Sequence, residues 1–160
     1  MGIPVYAPYE TGSQIQHFDM FTVKPFSLVH DVPCFGFYIF HPEIGSLIYA
    51  TDTEYIKYHF SGINHILVEA NYSSEEMELN AAYKEHVMTG HMEIKTTLDF
   101  VRKNDNDDLR EVVLMHLSQS NADSDNFLKM AQKVTNKPVY IAKKGLEIDL
   151  SLIPDCFKGI

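Results

Sequence analysis

Apolar residues in this chain come in short dense blocks. The runs CFGFYIF (34–40), SLIYA (46–50), HILVEA (65–70) and EVVLMHL (111–117) are nearly continuous. Clean alternation marks a strand with one wet face, whereas continuous runs mark strands covered on both faces. Enrichment in β-branched and aromatic residues between turn signals predicts strands at Pro4–Ala7, Phe21–Pro25, Ser27–His30, Cys34–Phe40, Ser46–Thr51, His65–Glu69, Glu111–Leu117 and Pro138–Ala142. Helical spacing appears later in the chain. Ser73 and Glu76 have the spacing of a capping box that opens a helix through about Val87. Ile94, Leu98 and Val101 predict a second helix over roughly 92–103. Phe127, Met130, Ala131 and Val134 predict a third, capped by Asp123 or Ser124.

The first third therefore reads as antiparallel strands and the rest as strand–helix alternation. That is an α/β (α+β) fold, a mixed sheet with helices layered on it. With no repeat, low-complexity tract or linker, residues 1–160 form a single domain. The predicted helices are few and all lie in the second half, so they cover one face of the sheet. The other face has to be buried by something else.

Composition narrows the function classes. No apolar run reaches the roughly 20 residues that span a bilayer, and the start, MGIPVYAPYE, lacks the basic and apolar regions of a signal peptide. Two cysteines, Cys34 and Cys156, do not make a disulfide framework, which predicts a reducing, cytoplasmic setting. A net charge of −9 argues against a surface built for phosphate backbones. Bound metal ions can reverse that locally.

Three strand ends carry metal-ligand chemistry. SLVHD ends on His30 and Asp31, LIYATD ends on Asp52, and VVLMHLS carries His116. Strand ends that feed into loops at one sheet edge are where functional groups collect. Imidazole nitrogen and carboxylate oxygen are common ligands of zinc, manganese and iron. In the alternative reading each histidine satisfies a nearby backbone group, and Asp52 caps a helix starting near Glu54.

The order VHD, YATDT, VEANYS, TGHMEIKT, LMHLSQSNAD resembles the C-terminal half of metallo-β-lactamase-fold hydrolases, in the branch of DNA 5′-exonucleases and transfer-RNA 3′-processing endonucleases. The resemblance runs from Ile3 to Leu150. It implies half of an αββα sandwich, with helices on one face of a mixed sheet. It also implies two divalent metal ions, zinc or manganese: His30 matches a ligand of the first ion, Asp52 the carboxylate bridging both, and His116 the last ligand of the second. His91 matches a histidine that protonates a leaving group at a scissile phosphate. Relatives carry a hydroxyl residue two positions after it; here Met92 and Glu93 follow. Glu69 and Asn71 match a loop-shaping segment.

The family's His-x-His-x-Asp-His stretch is not found in this sequence. The expectation is an incomplete metal site and one exposed sheet face. That face would be covered by a complementary N-terminal half or by a second copy in a homodimer. The implied activity is a metal-dependent phosphodiesterase acting on nucleic acid or a nucleotide ester. The alternative is an inactive truncated module used for dimerisation or partner binding.

Overall fold

In the computed structural model, residues 5–75 and 89–152 are described. Seven strands form one sheet in sequential order: β1 (Gln16–Phe18), β2 (Phe21–Ser27), β3 (Phe35–His41), β4 (Gly45–Ala50), β5 (His65–Glu69), β6 (Glu111–Met115) and β7 (Val139–Ile141). β1 to β4 pair antiparallel; β4, β5, β6 and β7 pair parallel. Helices bounded among the described residues are α1 (Pro8–Thr11), α2 (Ile94–Asn104) and α3 (Ser124–Ala131). No helix among the described residues is long and apolar enough to cross a membrane.

Register assigns each strand residue to a face. One face carries the rows Tyr38–Ile48–Ile66–Val112–Val139 and Ala50–Val68–Leu114–Ile141. These pack with Ile94, Leu98 and Val101 of α2 and Phe127 and Ala131 of α3 into the hydrophobic core. The opposite face carries the row Pro25–Phe37–Tyr49–Leu67–Val113–Tyr140. Tyr49 and Tyr140 there remain 40% and 36% exposed. The mixed sheet, with α2 and α3 on one face, is thus present.

Several boundaries differ from the sequence expectation, each for a local reason. The strand predicted at Pro4–Ala7 does not form over its described part: residues 5–7 are irregular and lead into α1. Pro8 sits in its first turn, where the missing N–H of proline has no consequence. Phe21–Pro25 and Ser27–His30 are not two strands. β2 continues through Pro25 to Ser27, because β1 reaches only to Val23 and leaves one side of β2 without a ladder. Leu28–His30 then turns away, with the Leu28 N–H donating to the Cys34 carbonyl at 2.9 Å. No helix follows Asp52; residues 51–60 are irregular, so the helix-cap reading of Asp52 fails. The helix predicted from Ser73 lies mostly outside the described residues.

The irregular 51–64 segment is nevertheless fixed. The Asn104 side chain at the end of α2 accepts from the Phe60 N–H at 2.7 Å and donates to the Phe100 carbonyl at 2.7 Å. At the rim where β5 and β6 begin, buried His65 lies between the Glu111 carboxylate and the Ile44 carbonyl.

Candidate metal centre

Because β4, β5 and β6 are parallel, their C-terminal ends open on one rim. Asp52 stands two residues beyond β4, Glu69 is the last residue of β5, and His116 follows β6 directly. His91 arrives on the segment that leads into α2. Asp52 and His116 both take left-handed backbone conformations, with φ of 59° and 55°. Asp and His tolerate this region better than most side chains, but it remains uncommon. In both cases it turns the chain sharply where the strand ends. Asn71 secures the turn at His116, its side-chain N–H donating to the His116 carbonyl at 2.7 Å.

Asp52, His91 and His116 each present a ligand atom, and these atoms lie within 4.8 Å of one another. Behind them sits Glu69, fully buried. A buried carboxylate is strongly disfavoured unless its oxygens are satisfied. Here Oε1 lies 2.8 Å from Nδ1 of His91 and 2.8 Å from Nδ1 of His116. Oε2 accepts the Thr53 N–H at 3.0 Å. The Thr53 hydroxyl in turn accepts the Val29 N–H at 3.0 Å and donates to the Tyr55 carbonyl at 2.9 Å. A carboxylate acceptor at Nδ1 makes that nitrogen the N–H and leaves the lone pair on Nε2. One glutamate therefore sets the tautomer and orientation of two imidazoles. Carboxylate–histidine pairs of this kind stand behind metal-ligating histidines generally.

His30 reaches the same rim but stands one ring further out. Its ring centroid is 6.0 Å from that of His91, and His91 is 5.2 Å from His116. Its Nδ1 faces the Asp31 carboxylate, and it does not fall within the Asp52–His91–His116 group. Gly90 permits this packing: a Cβ there would meet His30 Nε2 at 3.2 Å. Cys34 is also close, its thiol 3.7 Å from the Thr51 carbonyl. Burial first, then the negative charges of Asp52 and Glu69, push its pKa up, which favours the thiol over the thiolate in the metal-free chain.

The donor set, two imidazoles and a carboxylate, is of the kind that can hold a divalent metal ion. Three ligands hold one catalytic ion with a position open. Asp52 and His116 are about half exposed, at 44% and 43% of their side chains, so the open side faces solvent. His91 enters this group beside the predicted Asp52 and His116. Sequence reasoning treated Glu69 as loop-shaping. The signal that drew attention to Asp52, a carboxylate ending an apolar strand, was equally present in HILVEA.

No protein-family model and no curated protein sequence matches the chain. Solved structures do. The metallo-β-lactamase fold protein YhfI from Bacillus subtilis superposes with a TM-score of 0.63 at 21% identity, over 84% of this chain and 52% of that one. The short form of human tRNase Z gives 0.54 at 20% identity, over 86% and 46%. An isothiocyanate hydrolase from Delia radicum gut bacteria gives 0.61 at 13% identity, over 86% and 57%. The chain spans about half the length of these structures and has the architecture of part of the metallo-β-lactamase fold.

Proposed function

We propose that this chain carries one side of a metal-dependent hydrolase centre of phosphodiesterase type. Asp52, His91 and His116 hold a divalent cation, zinc or manganese. One observation carries the reading: a single buried carboxylate, Glu69, gathers two histidines whose ligand atoms lie within 4.8 Å of each other and of a carboxylate oxygen of Asp52. A structural role alone does not call for two imidazoles gathered by one buried acceptor beside a solvent-facing acid. When bound, a divalent ion lowers the pKa of water and polarises a phosphoryl oxygen. The residues of the chain supply the rest. Glu69 holds both rings in register, Thr53 locks Glu69, and Asn71 pins the His116 turn. With its Nδ1 turned to Glu69, His91 has only Nε2 left for other work, so metal ligand and proton donor would be alternative uses of that one atom. A second ion would need ligands beyond this group, from a complementary segment or a second copy. A nucleic acid or nucleotide ester fits as substrate because the likeness includes human tRNase Z.

The test is zinc or manganese binding by the purified chain, read by competition with a chromophoric chelator, with hydrolysis of an aryl phosphodiester as a second readout. Asp52→Ala and His116→Ala each weaken binding at least tenfold. Equal binding by the wild type and both variants overturns the site.

A second reading, an association module without catalysis, draws on the exposed row that includes Tyr49 and Tyr140. It is separated from the first by stoichiometric metal binding without turnover in the associated state.

A further inference from the structure

The segment that leaves Asp52 crosses the helix-covered side of the sheet and carries the sequence EYIKYHFS, 54–61. Two adjoining pockets open along it. The first, about 360 Å³, is walled by Phe26, Tyr38, Tyr58 and Phe60, with Lys24 at its margin. The second, about 330 Å³, is walled by Tyr55, Tyr58 and Phe100, with Lys57 and Lys103. Tyr58 and His59 line both. The aromatic walls are built rather than accidental. The Phe26 ring lies 5.5 Å from Tyr58 and 5.1 Å from Phe60, and Phe60 packs edge-on to Phe100 at 6.3 Å. Yet Tyr55 and Tyr58 keep 47% and 37% of their surface exposed.

Charge singles out the same place. The chain has a net charge of −9, but three lysines gather at these two pockets. Among the described residues none of the three forms an ion pair with a carboxylate. Lys57 instead places its ammonium 5.3 Å from the Tyr58 ring centroid. The one acid lining the second pocket, Asp99, is already paired with Arg102 at 2.6 Å. Half-exposed aromatic rings interleaved with free ammonium groups are what single-stranded nucleic acid requires, rings for the bases and cations for the phosphates. Pockets of this volume sit at the small end of ligand sites and suit one base each. A duplex keeps its base faces stacked and cannot enter them.

We propose that the 54–61 segment is a binding site for single-stranded nucleic acid: the two pockets take successive bases around Tyr58, and Lys24, Lys57 and Lys103 meet the phosphates. The inference deepens the phosphodiesterase reading and rests on it for its meaning, since the segment begins at the acid of the metal group. Its test does not depend on that reading, because it is made without metal.

The experiment is fluorescence anisotropy of a short labelled oligothymidylate with the full chain in EDTA, across a salt series. Expected are binding at least tenfold tighter than to the matching duplex, and about tenfold weakening by Tyr58→Ala, the range of a lost stacking platform. Tyr58→Phe retains binding. Lys24→Gln, Lys57→Gln and Lys103→Gln each lower the slope of log K against log salt by about 0.7, one phosphate contact on a single strand. Asp52→Ala leaves all of this unchanged, so a failed metal site and a failed strand site are told apart. These side chains are exposed, and circular dichroism verifies that the variants fold. The proposal is overturned by absent binding, by a Tyr58→Ala variant that binds like the wild type, or by equal competition from polyglutamate. Thymidine monophosphate binding as tightly as the oligomer also overturns it, in favour of a single-nucleotide site.

Discussion

Asp52 and Glu69 both end an apolar strand on a carboxylate, and their surroundings give them opposite work. Asp52 is half exposed and faces the open rim; Glu69 is buried and faces the backs of two histidines. Glu69→Gln keeps the volume but removes the charge, and sets an amide NH2 against either the two histidine N–H groups at Oε1 or the Thr53 N–H at Oε2. Loss of such an outer partner typically weakens metal affinity by about 10–100-fold, and chelator competition reads it. The fold stays intact by circular dichroism, whereas Asp52→Ala removes a ligand directly. A second residue-scale prediction concerns Cys34. Burial, Asp52 and Glu69 hold its folded pKa above the ordinary thiol value. The folded chain therefore keeps this proton more tightly than the unfolded chain does. The resulting stability is fully present below the unfolded pKa and is lost as pH rises through the folded one. In a Cys156→Ser background with EDTA, iodoacetamide labels Cys34 more slowly at pH 8 than it labels a free thiol peptide. Asp52→Asn speeds the labelling by removing a named cause of the shift. Equal rates for both chains would refute the electrostatic account. Asp52 was legible from sequence because a charge at the end of a buried strand is costly anywhere, whereas the same signal at Glu69 led only to a loop-shaping role. The pairing of His91 with Glu69 was not legible, because nothing in spacing tells that residues 69, 91 and 116 meet.

Among elements, those with a mechanism behind them were read well. α3 begins where the cap was expected, with Asp123 Oδ1 accepting the N–H groups of Asp125 and Asn126 at 3.0 and 3.1 Å. Asp123→Ala is expected to cost about 1 kcal/mol of stability, measured as a shift in urea midpoint at unchanged slope. A negligible shift would mean α3 is held by Phe127 and Ala131 in the core and owes little to its cap. The parallel strands β5 and β6 were placed to within two residues, since dense apolar runs leave no other burial. Errors fell where local rules and tertiary context compete. Pro25 looked like a strand end, but a short neighbouring strand leaves room for it. Asp52 looked like a helix cap, but the chain beyond it is spent on reaching Asn104 and walling the two pockets. The three-residue β1 has too few residues to show a period at all.

On the scale of the whole molecule, the sheet face opposite the helices decides what state this chain works in. Its central row is apolar across six strands, from Pro25 to Tyr140. The chain covers part of it. Tyr9 of α1 packs edge-on against Phe35 at 5.1 Å near one end. From β7 the chain runs back to the far rim, where the Leu152 N–H donates to the Glu43 carbonyl at 2.8 Å. Leu152 also meets the position a Cβ on Gly45 would take, at 2.9 Å. By strand alternation that position points to the same side as Leu47 and Tyr49. Along the way Leu146, Ile148 and Leu150 are half-buried while Glu147 and Asp149 are exposed, the period of an extended segment with one apolar side. What stays open lies around Tyr49 and Tyr140. An aromatic patch left open on a sheet favours a second copy or a complementary segment. Sedimentation of the purified chain is expected to give a dimer mass that rises to saturation with concentration, and Tyr49→Lys with Tyr140→Lys to return it to monomer with its circular dichroism unchanged. If the dimer brings two rims together, the double variant also loses metal stoichiometry, because ligands for a second ion then come from the other copy. A wild-type chain that stays monomeric at high micromolar concentration would mean that its own residues close this face, and the metal group would then have to work with Asp52, His91 and His116 alone.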